Sequence, residues 1–171
     1  EGFCVLNDAA IAIRLLRADG CLRRALVVDL DVHQGNGTAA VFADDPETFT
    51  MSMHGARNYP FEKERSSLDV ALADGTADDD YLAALEAHLP AALAASRPDL
   101  VGYLAGVDPV AGARYGRLGL TRAGLHRRDR TVLAAVRRRR VPILLLMSGG
   151  YAPTPEATAD LHAIAHRKAR A

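Results

Sequence analysis

Residues 26–37 read Leu-Val-Val-Asp-Leu-Asp-Val-His-Gln-Gly-Asn-Gly, and the reading of this stretch decides the fold. An apolar run comes first. Asp29, Asp31 and His33 then stand at every second position, and Gly35 and Gly37 follow at once. Unpaired charges are costly inside a buried strand. They are tolerable at its end, where the chain emerges beside a crevice. Residues two apart in an extended chain point to the same side, so Asp31 and His33 face one object together.

Working outward from this strand, apolar and helical segments alternate. Cys4 to Arg17 has apolar residues at helical spacing and closes at Asp19-Gly20. Arg24 to Asp31 reads as a strand, Thr38 to Phe42 as a short helix, and Thr48 to Met53 as a second strand. Gly55 to Ser67 is polar, contains Pro60 and reads as loop; Leu68 to Leu72 is a short alternating strand. A helix over Asp78 to Ala95 opens on acidic residues, which suit its N-terminal dipole. Asp99 to Ala105 is a strand, Arg122 to Arg138 a helix, Val141 to Met147 a strand and Thr154 to Arg170 a final helix with Pro155 in its first turn. Strands alternating with long helices predict an α/β fold: a parallel sheet flanked by helices. The continuously apolar strands predict cover on both faces.

Bulk properties narrow the function. The 171 residues amount to one domain, with 49% hydrophobic residues and a formal net charge of zero. That balance argues against a nucleic-acid partner, which calls for a basic excess. The run Arg137 to Arg140 falls at a helix C-terminus, where cations suit the dipole. Apolar runs are too short to span a bilayer, so no membrane partner is expected. Cys4 and Cys21 lack the number and spacing of a disulfide or metal framework. They are expected to be buried or half-buried thiols of a reducing compartment, and a cytoplasmic location is the expectation.

Ligands of open α/β sheets bind at the carboxyl ends of strands. The first strand ends in Asp29, Asp31 and His33; "LAGVDP" brings Asp108; "LLLMSGGY" brings Tyr151. Carboxylates, an imidazole and a phenol thus gather on one edge. Asp31, His33 and Asp108 make a plausible three-ligand metal site that leaves a position for water or substrate, as in catalytic zinc centres. Oxygen-rich ligation suits Fe2+ or Mn2+ as well. Asp29 shares the alternation without needing to touch the same metal.

The stretches "GFCVLNDAAIAI", "DLDVHQGNGT", "SMHGARNYPF", "AGVDP…GRLGLT" and "SGGY" resemble, in order and over nearly the whole chain, the zinc-dependent histone deacetylase superfamily with its arginase/deacetylase fold. The variants at "HQGNG", "SMHGARNYP" and "SGGY" are most similar to the class IV branch, which includes bacterial members. The resemblance implies hydrolysis of the acyl amide of an acylated lysine, or of a small acylated amine such as a polyamine. It assigns Asp31, His33 and Asp108 to Zn2+, Tyr151 to the oxyanion, and Asp29 to the orientation of a catalytic histidine. Gly2, Phe3 and Tyr59 match walls of the substrate channel, and Tyr115 lies near its rim. A potassium ion is implied at the carbonyls of Asp31 and His33, the Asp29 carboxylate and Ser52.

The departures carry expectations too. Asn36 stands where many members have an acid, and Ala113 and Tyr115 replace an acid and a leucine. Glu62 and Glu64, the acids placed to catch a second ammonium, are interleaved with Lys63 and Arg65. The family's catalytic His-His pair precedes its "GFC" motif, whereas this sequence starts at Glu1. Residues 1–171 are therefore expected to be the C-terminal portion of a single deacetylase domain with its N-terminal part missing. A non-catalytic metal-binding remnant is the competing reading. His54, at a strand end, is the internal candidate for a base, with a structural duty the stronger expectation. His88, His126, His162 and His166 fall on helices and read as surface or packing residues.

Overall fold

The computed structural model describes residues 3–170. Its elements run α1 (Asp8–Ala18), β1 (Ala25–Asp29), α2 (Asn36–Val41), β2 (Thr48–Gly55), β3 (Leu68–Leu72), α3 (Asp78–Ser96), β4 (Leu100–Leu104), α4 (Arg122–Arg138), β5 (Ile143–Leu146) and α5 (Pro155–Ala169). The strands form one parallel sheet in the order β3-β2-β1-β4-β5. The α/β reading and the element sequence hold, with ends shifted by a few residues.

Register assigns each side chain to a face. Val27 pairs with Gly102, and Gly102 with Leu144, so these share one face. The other face carries Leu26, Val28, Leu30, Val101 and Tyr103. They meet Leu85 and Leu89 of α3, Val132 and Val136 of α4, and Leu161 and Ile164 of α5 in the main core. On the first face Ala10 and Ile13 of α1 and Phe42 cover Ala25 and Val27, with Leu104 at the margin.

Three expectations are corrected. The first helix starts at Asp8, not Cys4, because the Asn7 side chain accepts from the Ala10 amide at 2.9 Å and caps it there. Both cysteines are exposed rather than buried. Cys4 precedes that cap, and Cys21 follows the turn at Gly20, whose φ of 69° suits glycine. Finally, cover is unequal on the two faces. β1 is buried along its whole length, whereas β5 is half-buried throughout and Met147, just past it, is 69% exposed. Among the described residues Leu144 and Leu146 belong to neither apolar cluster, since the short α1 and α2 sit over the β1 side.

Candidate metal centre

The chain leaves β1 to build β2 and β3 on one side, then returns through α3 to build β4 and β5 on the other. The order reverses between β1 and β4, which is where open α/β sheets open a crevice. The hydrogen bonds show the parting. The Leu30 amide donates to Leu104 O at 3.1 Å, closing the β1–β4 ladder. Beyond it, Val32 O accepts from Gly55 on the β2 side, while Ala105 and Val107 donate to Leu146 and Gly149 on the β5 side. Asp31 and His33 hang from one lip of this crevice and Asp108 from the other.

Ligand-type atoms of Asp31, His33 and Asp108 all lie within 4.8 Å of one another. His33 Nδ1 stands 2.9 Å from Asp31 Oδ1 and 3.2 Å from Asp108 Oδ2. Asp31 Oδ2 accepts from Ser148 Oγ and from the Gly149 amide, each at 2.6 Å. Asp108 Oδ1 accepts from the Val32 amide at 3.0 Å. Its Oδ2 is buried, and the polar group that faces it is the His33 imidazole, 3.2 Å away and longer than an ordinary hydrogen bond to a carboxylate. A buried carboxylate oxygen in that state is costly unless a cation meets it. Two carboxylates and an imidazole nitrogen converging there fit a divalent ion of the Zn2+ or Fe2+ type. The backbone makes room: a Cβ on Gly106 would stand 2.6 Å from Asp31 Oδ2, and one on Gly149 would overlap the Asp108 carboxylate.

Without an ion the cluster holds a proton instead. Burial works against a charged His33, but the carboxylates of Asp108 and Asp31 accept from its Nδ1, overcome that cost and lift its pKa to about 10. Burial, reinforced by the Asp31 charge, raises Asp108. Burial also pushes Asp31 up, but the His33 and Ser148 hydrogen bonds outweigh it and leave that carboxyl low. Asp29 is raised well above the ordinary range, by burial first and then by Asp31.

Tyr151 overlooks this cluster. Its ring stands edge-on to His33 at 6.3 Å between centroids and to Tyr115 at 4.9 Å, with Phe3 6.3 Å away. Burial, then the charges of Asp108 and Asp31, raises its pKa, so the phenol keeps its proton. Phe3, Tyr115 and Tyr151 therefore form an aromatic wall over the metal-type cluster. Tyr59 pairs edge-on with Phe61 on the following loop. Asn58 Nδ2 ties that loop to Tyr115 O at 2.6 Å. Gly2 lies outside the described residues. Asp29 sits opposite Ser52 in the β1–β2 register, and its carboxylate accepts from the Asp31 amide at 3.1 Å. His54 is 2% exposed, and its Nδ1 lies 3.0 Å from Ser52 Oγ, an inward position that supports a structural duty.

Sequence reasoning overlooked Ser148, which grips Asp31, and the buried pair Arg128–Asp129 beneath the crevice. The signal for the pair existed. Arg128 and Asp129 interrupt the stripe Leu125, Val132 and Val136 at helical spacing, so α4 carries two charges on its core face. Ser148 had no comparable signal beyond its place at a strand end.

An open parallel sheet with a buried Asp–His–Asp cluster and a tyrosine beside it defines an α/β protein with a candidate metal centre. The histone deacetylase domain model matches residues 1–166, and the chain belongs to that family. It is 48% identical over 170 residues to an uncharacterised protein of Picosynechococcus, covering 99% of this chain and 57% of the other. It is 34% identical over 153 residues to histone deacetylase 2 of Arabidopsis thaliana, covering 88% of this chain and 40% of the other. Among solved structures, the HD domain of HDA15 superposes with a TM-score of 0.80 at 28% identity, covering 98% of this chain and 50% of the other. An acetylpolyamine aminohydrolase of Burkholderia pseudomallei superposes at 0.79 and 25%, covering 98% and 49%. The chain spans about half the length of the relatives it matches.

Proposed function

We propose that the protein to which this chain belongs is a Zn2+-dependent amide hydrolase that removes the acyl group from acylated lysine. The convergence of Asp31, His33 and Asp108 within 4.8 Å at the switch point carries this reading. When bound, the ion supplies Lewis acidity and activates water at neutral pH. Asp31 and Asp108 offer it their carboxylates and His33 its Nδ1, while Ser148 and Gly149 hold Asp31 in place. The Tyr151 hydroxyl, kept protonated, donates to the oxygen that gains charge as the amide is attacked. Phe3, Tyr115 and Tyr151 provide apolar rings for a lysine stem. Among the described residues His54 is turned inward, so proton transfer is assigned to a histidine of the longer protein. Asp29, buried two residues before Asp31, is assigned to orienting that histidine. The Asp29, Asp31, His33 and Ser52 oxygens are assigned a potassium ion, and a cytoplasmic location belongs to the same proposal.

A second substrate class has one observation in its favour, the superposition on an acetylpolyamine aminohydrolase. The test is amine release by the full-length protein from an acetyl-lysine peptide and from an acetylated polyamine, each with and without Zn2+. Faster metal-dependent turnover of the peptide is expected. Preference for the polyamine would select the second reading. Failure of both substrates with stoichiometric metal bound would sink the proposal.

A further inference from the structure

Among the described residues Arg128 is one of the largest fully buried side chains, at 0% exposure. Its position is unusual for a charge, because it lies midway along α4 on the helix's core face. Its Nη1 donates to Gly106 O at 2.6 Å and to Leu30 O at 3.3 Å. Its Nε and Nη2 face Asp129 Oδ1 at 2.9 and 2.8 Å. The same oxygen accepts from the Tyr103 hydroxyl at 2.6 Å.

The two carbonyls identify what the guanidinium does. Leu30 immediately precedes Asp31, and Gly106 lies two residues before Asp108. They sit just where the β1–β4 ladder stops and the lips of the crevice part. A carbonyl losing its ladder partner in a buried place needs another donor. One nitrogen, Nη1, supplies both and spans the gap that the strands no longer close, while Nε and Nη2 are turned to Asp129. We infer that Arg128 is a positioning residue: it clips the diverging ends of β1 and β4 together and so sets the separation of the ligand residues Asp31 and Asp108.

The inference rests on the metal-centre reading above. Asp129 neutralises the charge and, held by Tyr103 of β4, aims the fork at the crevice. A lysine would bring one nitrogen, which cannot face both Asp129 and the two carbonyls in the fixed plane of the guanidinium. If cohesion of the core were the arginine's purpose, an apolar side chain would serve as well, since buried ion pairs seldom add net stability over well-packed apolar residues.

The test uses the full-length protein with Zn2+ or Co2+ alone and no substrate. Arg128→Lys is expected to weaken Zn2+ binding, measured by competition with a chelating dye, by ~10- to 100-fold, the range found when groups supporting metal ligands are removed. The visible absorption of the Co2+-loaded form should change as the ligand geometry relaxes. Tyr103→Phe removes only the hydroxyl that steadies Asp129 and should give a smaller loss in the same direction. A merely structural arginine would lower the melting temperature of both variants and leave Zn2+ affinity and the Co2+ spectrum unmoved; that result overturns the inference. Should Arg128→Lys fail to fold, Tyr103→Phe decides by the same two readouts. Parent protein that binds no metal overturns the metal-centre reading and this inference together, whereas metal-binding parent with unaltered variants overturns the inference alone.

Discussion

The two faces of the sheet use one set of strands to different ends. Under α3, α4 and α5, Leu26, Leu30, Val101 and Tyr103 are sealed in the main core, and Arg128 reaches the crevice from that side. Under α1 and α2 the cover stops near Leu104, and Leu144 and Leu146 stay half-buried. The crevice belongs to neither face, but its backbone is braced from only one. Stability and site geometry therefore share a layer, while the other face contributes less to both.

The largest effect expected is at the crevice. Asp108→Ala in the full-length protein should abolish stoichiometric metal, a greater loss than the ~10- to 100-fold typical for partners of ligands. Elemental analysis reads this directly, and retained metal would remove Asp108 from the centre.

Next comes the contrast between faces. Leu26→Ala should destabilise residues 1–171 by ~2–5 kcal/mol, the range for a leucine excavated from a sealed core. Leu144→Ala, with less apolar surface to lose, should cost under ~1.5 kcal/mol. Equal shifts in urea unfolding would mean that the second face is covered in solution, and the comparison would break.

A pH experiment sharpens the account of the crevice. In metal-free protein His33 is raised from 6.5 to about 10. Its contribution to stability is fully present below the unfolded value and is lost as pH rises from about 6.5 through about 10. Metal must displace the proton from Nδ1. Titration at pH ~8 in buffers of different ionisation enthalpy should therefore show about one proton released per ion. Metal uptake without proton release would contradict the protonated cluster.

The smallest effect separates neighbours on α4. Arg127 pairs with Asp79 at 3.0 Å on the solvent side. Arg127→Ala should cost less than ~1 kcal/mol, as exposed pairs do, and leave Zn2+ affinity unchanged. A loss of affinity matching that of Arg128→Lys would show that the brace depends on α4 charge in general and not on the fork.

The sequence by itself determined which segments are strands and helices and which strand ends gather ionisable residues. Those are local properties. Apolar spacing follows the geometry of the element, and ionisable residues cluster where a buried strand surfaces. Asp31, His33, Asp108 and Tyr151 were legible for that reason, and five stretches in family order carried the resemblance. Tertiary structure alone decided that β4 returns beside β1, so that Asp108 meets residues more than seventy positions earlier. It also seated Ser148 on Asp31 and turned Arg128 toward two carbonyls at the parting of the strands. A helical pattern tells which face of α4 a residue occupies, but not which backbone lies opposite. That partner is set by strand order and packing, which are long-range and have no local trace in the chain.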